Sequence, residues 1–141
     1  MPTRDTGTGS VLEQMVLPAL ERGGYTSRTQ VTMGRRPGGR KHKIDVVASD
    51  QSDHTFLVSL KWQQTSGTVE QKVPFEVICL AELVAADETH RTRAYLVLGG
   101  GGWTLREYYT SGGLAAHLTH ADLVTILDFE TFVARANQGR L

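Results

Sequence analysis

The chain has 141 residues, 40% of them hydrophobic and 21% charged, the length and composition of one globular domain. Fifteen Lys and Arg balance fifteen Asp and Glu, which excludes a protein held to nucleic acid by bulk charge alone. A single cysteine, Cys79, excludes an internal disulfide framework and a cysteine-based zinc cluster. No apolar run reaches the ~18–20 residues of a membrane span, and the N-terminal MPTRDTGTGS lacks a signal-peptide core, so a soluble cytoplasmic protein is expected.

The charge is uneven along the chain. Residues 1–43 carry 8 basic and 3 acidic side chains, and the remainder carries 7 and 12. A basic half can face a polyanion while carboxylates gather elsewhere. The first eight or so residues are rich in Gly and Thr and are expected to fray. Over Ser10–Arg22, Val11, Leu12, Met15, Val16, Ala19 and Leu20 recur at helical spacing. Ser10 and Glu13 form a capping-box pattern, Pro18 is expected to kink or shorten the helix, and Gly23-Gly24 ends it. Three extended segments follow: Tyr25–Arg36, His42–Ala48 and Phe56–Trp62. The turns between them, around Pro37-Gly38-Gly39 and over Ser49–His54, predict an antiparallel meander.

Next comes a long helix within Gly67–Asp87, with Val69, Val73, Val77, Leu80 and Val84 as its apolar stripe. Pro74 either kinks its first turns or marks its regular start. Arg93–Leu98 reads as a strand buried on both faces. Gly99–Gly102 is a loop, Trp103–Tyr109 and Leu114–Leu118 are helical, Leu123–Leu127 is a strand and Phe129–Ala136 a final helix. The order is α-βββ-α-β-α-β-α.

The chemistry concentrates between Asp45 and Glu76. Asp45 lies inside the apolar run IDVV and Lys61 inside VSLKW. Strands joined by a short turn set the two side by side. Ionised groups in apolar strands are unusual unless paired or bound to a metal. A buried Asp45–Lys61 ion pair is the bland alternative.

This arrangement resembles the PD-(D/E)XK nuclease superfamily, which includes many type II restriction endonucleases. The resemblance covers most of the chain. It implies an α/β fold with a restriction-endonuclease-like core, a mixed central sheet flanked by helices. In that family an Asp on one strand and an acid two before a Lys on the next bind Mg²⁺. Asp45 matches the first position and Lys61 the Lys. Ile44 stands where the family has Pro, and Ser59 where it has Glu or Asp. Serine cannot supply the charge a Mg²⁺ site needs. One restriction-enzyme branch takes the missing carboxylate from the following helix, where Glu76 and Glu70 flank the apolar stripe. Helical phase does not choose between them; the relocated-Glu spacing and Pro74 favour Glu76. Glu13, on the first helix, and Gln63, two after Lys61, occupy positions that are often polar in family active sites. For Glu13 the capping role is an equal alternative.

The basic turn Arg35, Arg36, Arg40, Lys41, His42 and Lys43 leads into the Asp45 strand and suits phosphate contacts, or else a solvated turn. Gly99–Gly102 lacks the Lys-Ser/Thr of a Walker loop and reads as a plain turn. Trp103, Tyr108 and Tyr109 read as core or interface, and His117-x-x-His120 as surface. The resemblance implies an endonuclease using Mg²⁺ (or Mn²⁺) on double-stranded DNA. In it Asp45 and Glu76 hold the metal beside Ser59, and Lys61 orients the attacking water. At this size a site-specific enzyme would be a homodimer reading a palindrome. The alternatives are a non-catalytic DNA-binding or assembly subunit that retains the fold, and a junction resolvase.

Overall fold

The computed structural model describes residues 8–141, and the expected N-terminal fraying lies outside them. Helix α1 spans Thr8–Arg22 and is followed by strands β1 (Thr26–Arg35), β2 (Lys41–Ser49) and β3 (Thr55–Trp62). A 3₁₀ turn at Val69–Lys72 leads into α2 (Val73–Ala86), then β4 (Thr92–Gly99), the short α3 (Arg106–Thr110), β5 (Val124–Asp128) and α4 (Phe129–Asn137).

The strands form one sheet in the order β1-β2-β3-β4-β5. The first three pair antiparallel, joined by short turns, and β3, β4 and β5 pair parallel. Parallel neighbours require crossover connections, and α2 and the α3 region supply them. The sheet is therefore mixed and sandwiched between helices, as expected.

Side-chain alternation sends each strand's apolar residues to two separate cores. On one face Leu12, Val16, Ala19 and Leu20 of α1 and Phe132 and Ala136 of α4 pack against Val46, Phe56, Val58, Tyr95 and Val97. On the other, Val73, Val77, Leu80 and Ala81 of α2 pack against Val47, Leu57, Leu96, Leu98 and Ile126. β4 is buried on both faces from Ala94 to Gly99.

Several local expectations are revised. Val11 and Met15 face outward, 55% and 48% exposed, so the packed stripe of α1 is narrower than its apolar spacing. Ser10 and Pro18 both lie within α1; the capping expectation at the Ser10 side chain lies outside the described residues. Pro18 neither ends nor shortens α1. Pro74 stands in the first turn of α2, where its missing N–H costs nothing. The Glu70 segment is 3₁₀, outside α2.

Candidate active site

The site is built at a fork in the sheet. β2 and β3 pair from Ser49–Thr55 to Val46–Val58. Beyond that pair, Ile44 packs on the α2 side while Val46 packs on the α1 side. Strict alternation would place both on one face, so the backbone rotates through Asp45. At the fork the Leu60 N–H donates to Asp45 Oδ2 at 2.8 Å; a carboxylate does the work of a ladder carbonyl. Toward β1 the ladder also skips this position. Thr29 pairs with Val46 and Val31 with Ile44, and Gln30, between them, has φ of 54°.

On β3, Ser59 and Lys61 point to the α2 side with Leu57. The first turn of α2 brings Glu76 to them, and a helix N-terminus favours a carboxylate there. Ser59 Oγ donates to Glu76 Oε2 at 3.0 Å, and Lys61 Nζ lies 4.0 Å from Oε1. Arg36 donates to the same Oε1 at 3.1 Å and approaches Cys79 Sγ at 3.6 Å. His42 is fully buried, with Nε2 3.5 Å from Glu76 Oε2; neither ring nitrogen makes a hydrogen bond among the described residues.

Electrostatics separates the two acids. Burial opposes ionisation of Glu76, but His42, Lys61, Arg36 and Ser59 outweigh it and bring its pKa from 4.5 to about 2. Burial raises the pKa of Asp45, and the like charge of Glu76 adds to this; the Leu60 N–H, Lys61 and Gln30 pull the other way without prevailing. Asp45 and Glu76 thus sense each other across the fork. Glu13, reached from α1, is also raised, chiefly by burial and further by Asp45, against a hydrogen bond from Gln30. That bond runs from Gln30 Nε2 to Glu13 Oε2. It gives Glu13 a cross-element partner.

The structure therefore brings Asp45, Ser59, Lys61, Glu76 and, at the margin, Glu13 toward one place. It does not bring Glu70 or Gln63. Glu70 Oε1 accepts the Leu105 N–H at 2.7 Å, and the Glu70 carbonyl accepts the Tyr109 hydroxyl at 2.8 Å. Gln63 donates to Gly102 O at 2.8 Å and accepts the Glu70 N–H at 3.3 Å. Both are struts between loops. The Asp45–Lys61 ion pair is replaced by Lys61–Glu76. Arg36 and His42 turn inward to Glu76, which the basic-turn reading did not foresee, and Gln30 was not singled out at all.

Elsewhere on the basic turn, Arg35 donates to Gly39 O at 2.6 Å, while Arg40, Lys41 and Lys43 are exposed. Gly99–Gly102 is a packed turn. A Cβ on Gly100, at φ +92°, would stand 2.4 Å from Gln63 O, and one on Gly102 2.5 Å from the Thr65 backbone. Trp103 and Tyr109 are buried, Tyr108 is exposed, and His117 and His120 lie on the surface.

Among the described residues no three His, Cys, Asp or Glu side chains are grouped to hold a metal. The donor set at the fork is two carboxylates and a hydroxyl, all hard oxygens. That set suits a hard divalent ion, which commonly takes one or two carboxylates and completes its shell with water and substrate phosphate. Glu76 is then shared, since Arg36 already holds one of its oxygens.

Comparison with known proteins bears on the fold and the family. The chain is similar in fold to an XisH family protein from Nostoc punctiforme, with TM-score 0.55 and 19% identity over 86% of this chain and 93% of that one. A protein of unknown function aligns with TM-score 0.49 and 16% identity over 85% of this chain, which spans only 59% of that protein's length. A repair endonuclease from Pyrococcus abyssi aligns with TM-score 0.46 and 12% identity, over 91% of this chain and 46% of its own. No curated protein matches by sequence. The sequence model of the PD-(D/E)XK nuclease superfamily domain matches residues 4–140, and the chain belongs to that superfamily.

Proposed function

We propose that the protein is a Mg²⁺-dependent DNA endonuclease that hydrolyses phosphodiester bonds. The observation that carries this reading is the convergence of Asp45, Lys61 and Glu76 at the fork, from three different elements, with Ser59 fixing Glu76 in place. Asp45 and Glu76 would hold the ion. When bound, a divalent ion offsets charge on the scissile phosphate and lowers the pKa of a bound water.

The chain's own groups have separable tasks. The Leu60 N–H fixes one oxygen of Asp45 at the fork. Ser59 holds Glu76 Oε2, while Arg36 and Lys61 face Oε1. Lys61, about a quarter exposed like Arg36, has access to both solvent and the acids. It is placed to orient a water and to stabilise charge that develops on phosphate. Arg40, Lys41 and Lys43 at the β1–β2 turn would contact neighbouring phosphates, which sets register without reading sequence. Cleavage leaving a 5′-phosphate, site-specific action and a twofold homodimer belong to the same proposal.

The test is incubation of the purified protein with supercoiled plasmid, with Mg²⁺ or with excess EDTA. Metal-dependent discrete fragments support a restriction-like enzyme. Cleavage confined to branched DNA turns the assignment to a resolvase. DNA binding with no cleavage in Mg²⁺ or Mn²⁺ refutes the enzymatic reading and leaves a binding subunit.

A further inference from the structure

Gln30 has no role in the chemistry just described, yet its geometry is the least ordinary in the sheet. It lies within β1, a strand otherwise extended up to Gly34, and its φ is 54°. L-residues with a Cβ rarely adopt that conformation, and Gln has no local hydrogen-bonding habit that favours it. The flanking register, Thr29 with Val46 and Val31 with Ile44, sets Gln30 directly across from Asp45. The left-handed backbone takes this one residue out of the ladder. Its carboxamide meets α1, where Nε2 donates to Glu13 Oε2. Asp45 lies opposite the same residue on β2. An unfavourable backbone state persists only where its surroundings enforce it, and such residues cluster at functional sites.

We propose that Gln30 is a positioning residue for the metal-binding carboxylates: its left-handed backbone places one amide between Glu13 and Asp45 and fixes Asp45 toward the fork. The inference rests on the endonuclease reading for its purpose and on the geometry alone for its content. A primary amide carries two N–H donors, so it can serve two carboxylates without adding a cation that would compete with a metal. Removing a group that orients a ligand carboxylate typically costs 10–100-fold in metal affinity or activity.

The test uses the full chain and Mn²⁺ alone, with no DNA, so that it does not depend on cleavage. Mn²⁺ binding is titrated by electron paramagnetic resonance for the parent, Gln30→Gly and Gln30→Asn, alongside thermal unfolding. Glycine is at ease at this φ and asparagine is among the side chains that tolerate it best, so neither substitution should lower Tm. Asparagine is one methylene too short to keep the amide on Glu13. Both variants are expected to bind Mn²⁺ about tenfold or more weakly, with Tm equal to or above the parent's. Parent-like Mn²⁺ binding in either folded variant overturns the proposal. So does a loss of Mn²⁺ binding that only accompanies a fall in Tm, which marks a merely structural residue. Asp45→Asn is the control: if it binds Mn²⁺ as the parent does, the metal site itself is elsewhere and the endonuclease reading fails with it. If the parent binds Mn²⁺, Asp45→Asn and both Gln30 variants do not, and no DNA is cut, the positioning role stands and only the enzymatic reading falls.

Discussion

Glu76 makes the electrostatics of the site measurable without any substrate. Its folded-state pKa is depressed from 4.5 to about 2. A depressed acid stabilises the fold above its unfolded pKa and loses that contribution as pH falls through the folded value. The shift corresponds to about 3 kcal/mol, fully present above roughly pH 5, and about half of it remains at pH 3. Glu76→Gln keeps the volume and an acceptor for Ser59 but removes the charge that Arg36, Lys61 and His42 face. Near neutral pH the variant should therefore be less stable than the parent by about 2–3 kcal/mol, the lower end because the substitution also lifts a like charge from Asp45. The difference should shrink steadily below pH 4.5. Urea denaturation of both proteins at intervals from pH 3 to pH 7 measures it. A stability gap that stays constant over that range would show that Glu76 is held by packing and neutral hydrogen bonds, and would refute the ion network described above.

The other predictions address separate parts of the site. Asp45 has a raised pKa because its ionised form is disfavoured by burial and by Glu76, so its charge costs stability above the folded pKa and acidification through that value relieves the cost; Asp45→Asn should unfold at an equal or higher urea concentration at pH 7 while losing cleavage, and a clear destabilisation would contradict this. Cleavage should vanish in excess EDTA, return with Mg²⁺ or Mn²⁺, and fail with Ca²⁺; undiminished activity in EDTA removes the metal from the mechanism. Neutralising Arg40, Lys41 and Lys43 together should lower the salt dependence of DNA binding by roughly 0.9 log unit per lost phosphate contact, and an unchanged slope in a filter-binding titration means that the β1–β2 turn does not touch DNA. Glu70→Ala loses the carboxylate that accepts the Leu105 N–H, so it should cost about 1–3 kcal/mol of stability yet cleave at the parent rate where folded; an inactive, fully stable variant would return Glu70 to the site.

What the sequence disclosed depended on how far each signal extends along the chain. The three-strand meander, the doubly buried β4 and the closing strand and helix were legible because alternation, continuous apolar runs and turn residues each recur over many positions. Asp45 and Lys61 stood out because charges inside apolar strands need a reason. The choice between Glu70 and Glu76 was not legible from phase. Both flank the apolar stripe only if one α-helix runs through them, and the chain is 3₁₀ to Lys72 and α-helical from Val73. The different pitch moves Glu70 away toward Leu105. Gln63 fits the alternation of Ser59 and Lys61, but it lies just beyond the end of β3 and its amide is consumed by the Gly99–Gly102 turn. Arg36 looked like a turn-tip cation because nothing in Arg-Arg-Pro-Gly-Gly shows that the β1–β2 hairpin curls over α2. Gln30 left no trace, since a left-handed residue other than Gly has no signature in a Thr-rich strand.

The proposed placement of the second metal-binding acid on α2, at Glu76, is compatible with the topology. β3 is the strand where the sheet changes from antiparallel to parallel pairing, so its connection to β4 must cross over through a helix. The first turn of that helix, α2, comes to lie over the side chains of Ser59 and Lys61. A carboxylate on β3 at position 59 and one on the helix at position 76 would therefore occupy adjoining volumes, and two buried like charges at such a separation disfavour each other. One acid with a small donor opposite it resolves the conflict. With Ser59 on the strand, the hydroxyl becomes a hydrogen bond to Glu76 at 3.0 Å, and the helix N-terminus and Arg36 add favourable charge that a strand position would lack. In the proposed site the serine thus complements the acid on α2, and Ser59 and Glu76 act as one hydrogen-bonded pair that places a single carboxylate at the fork.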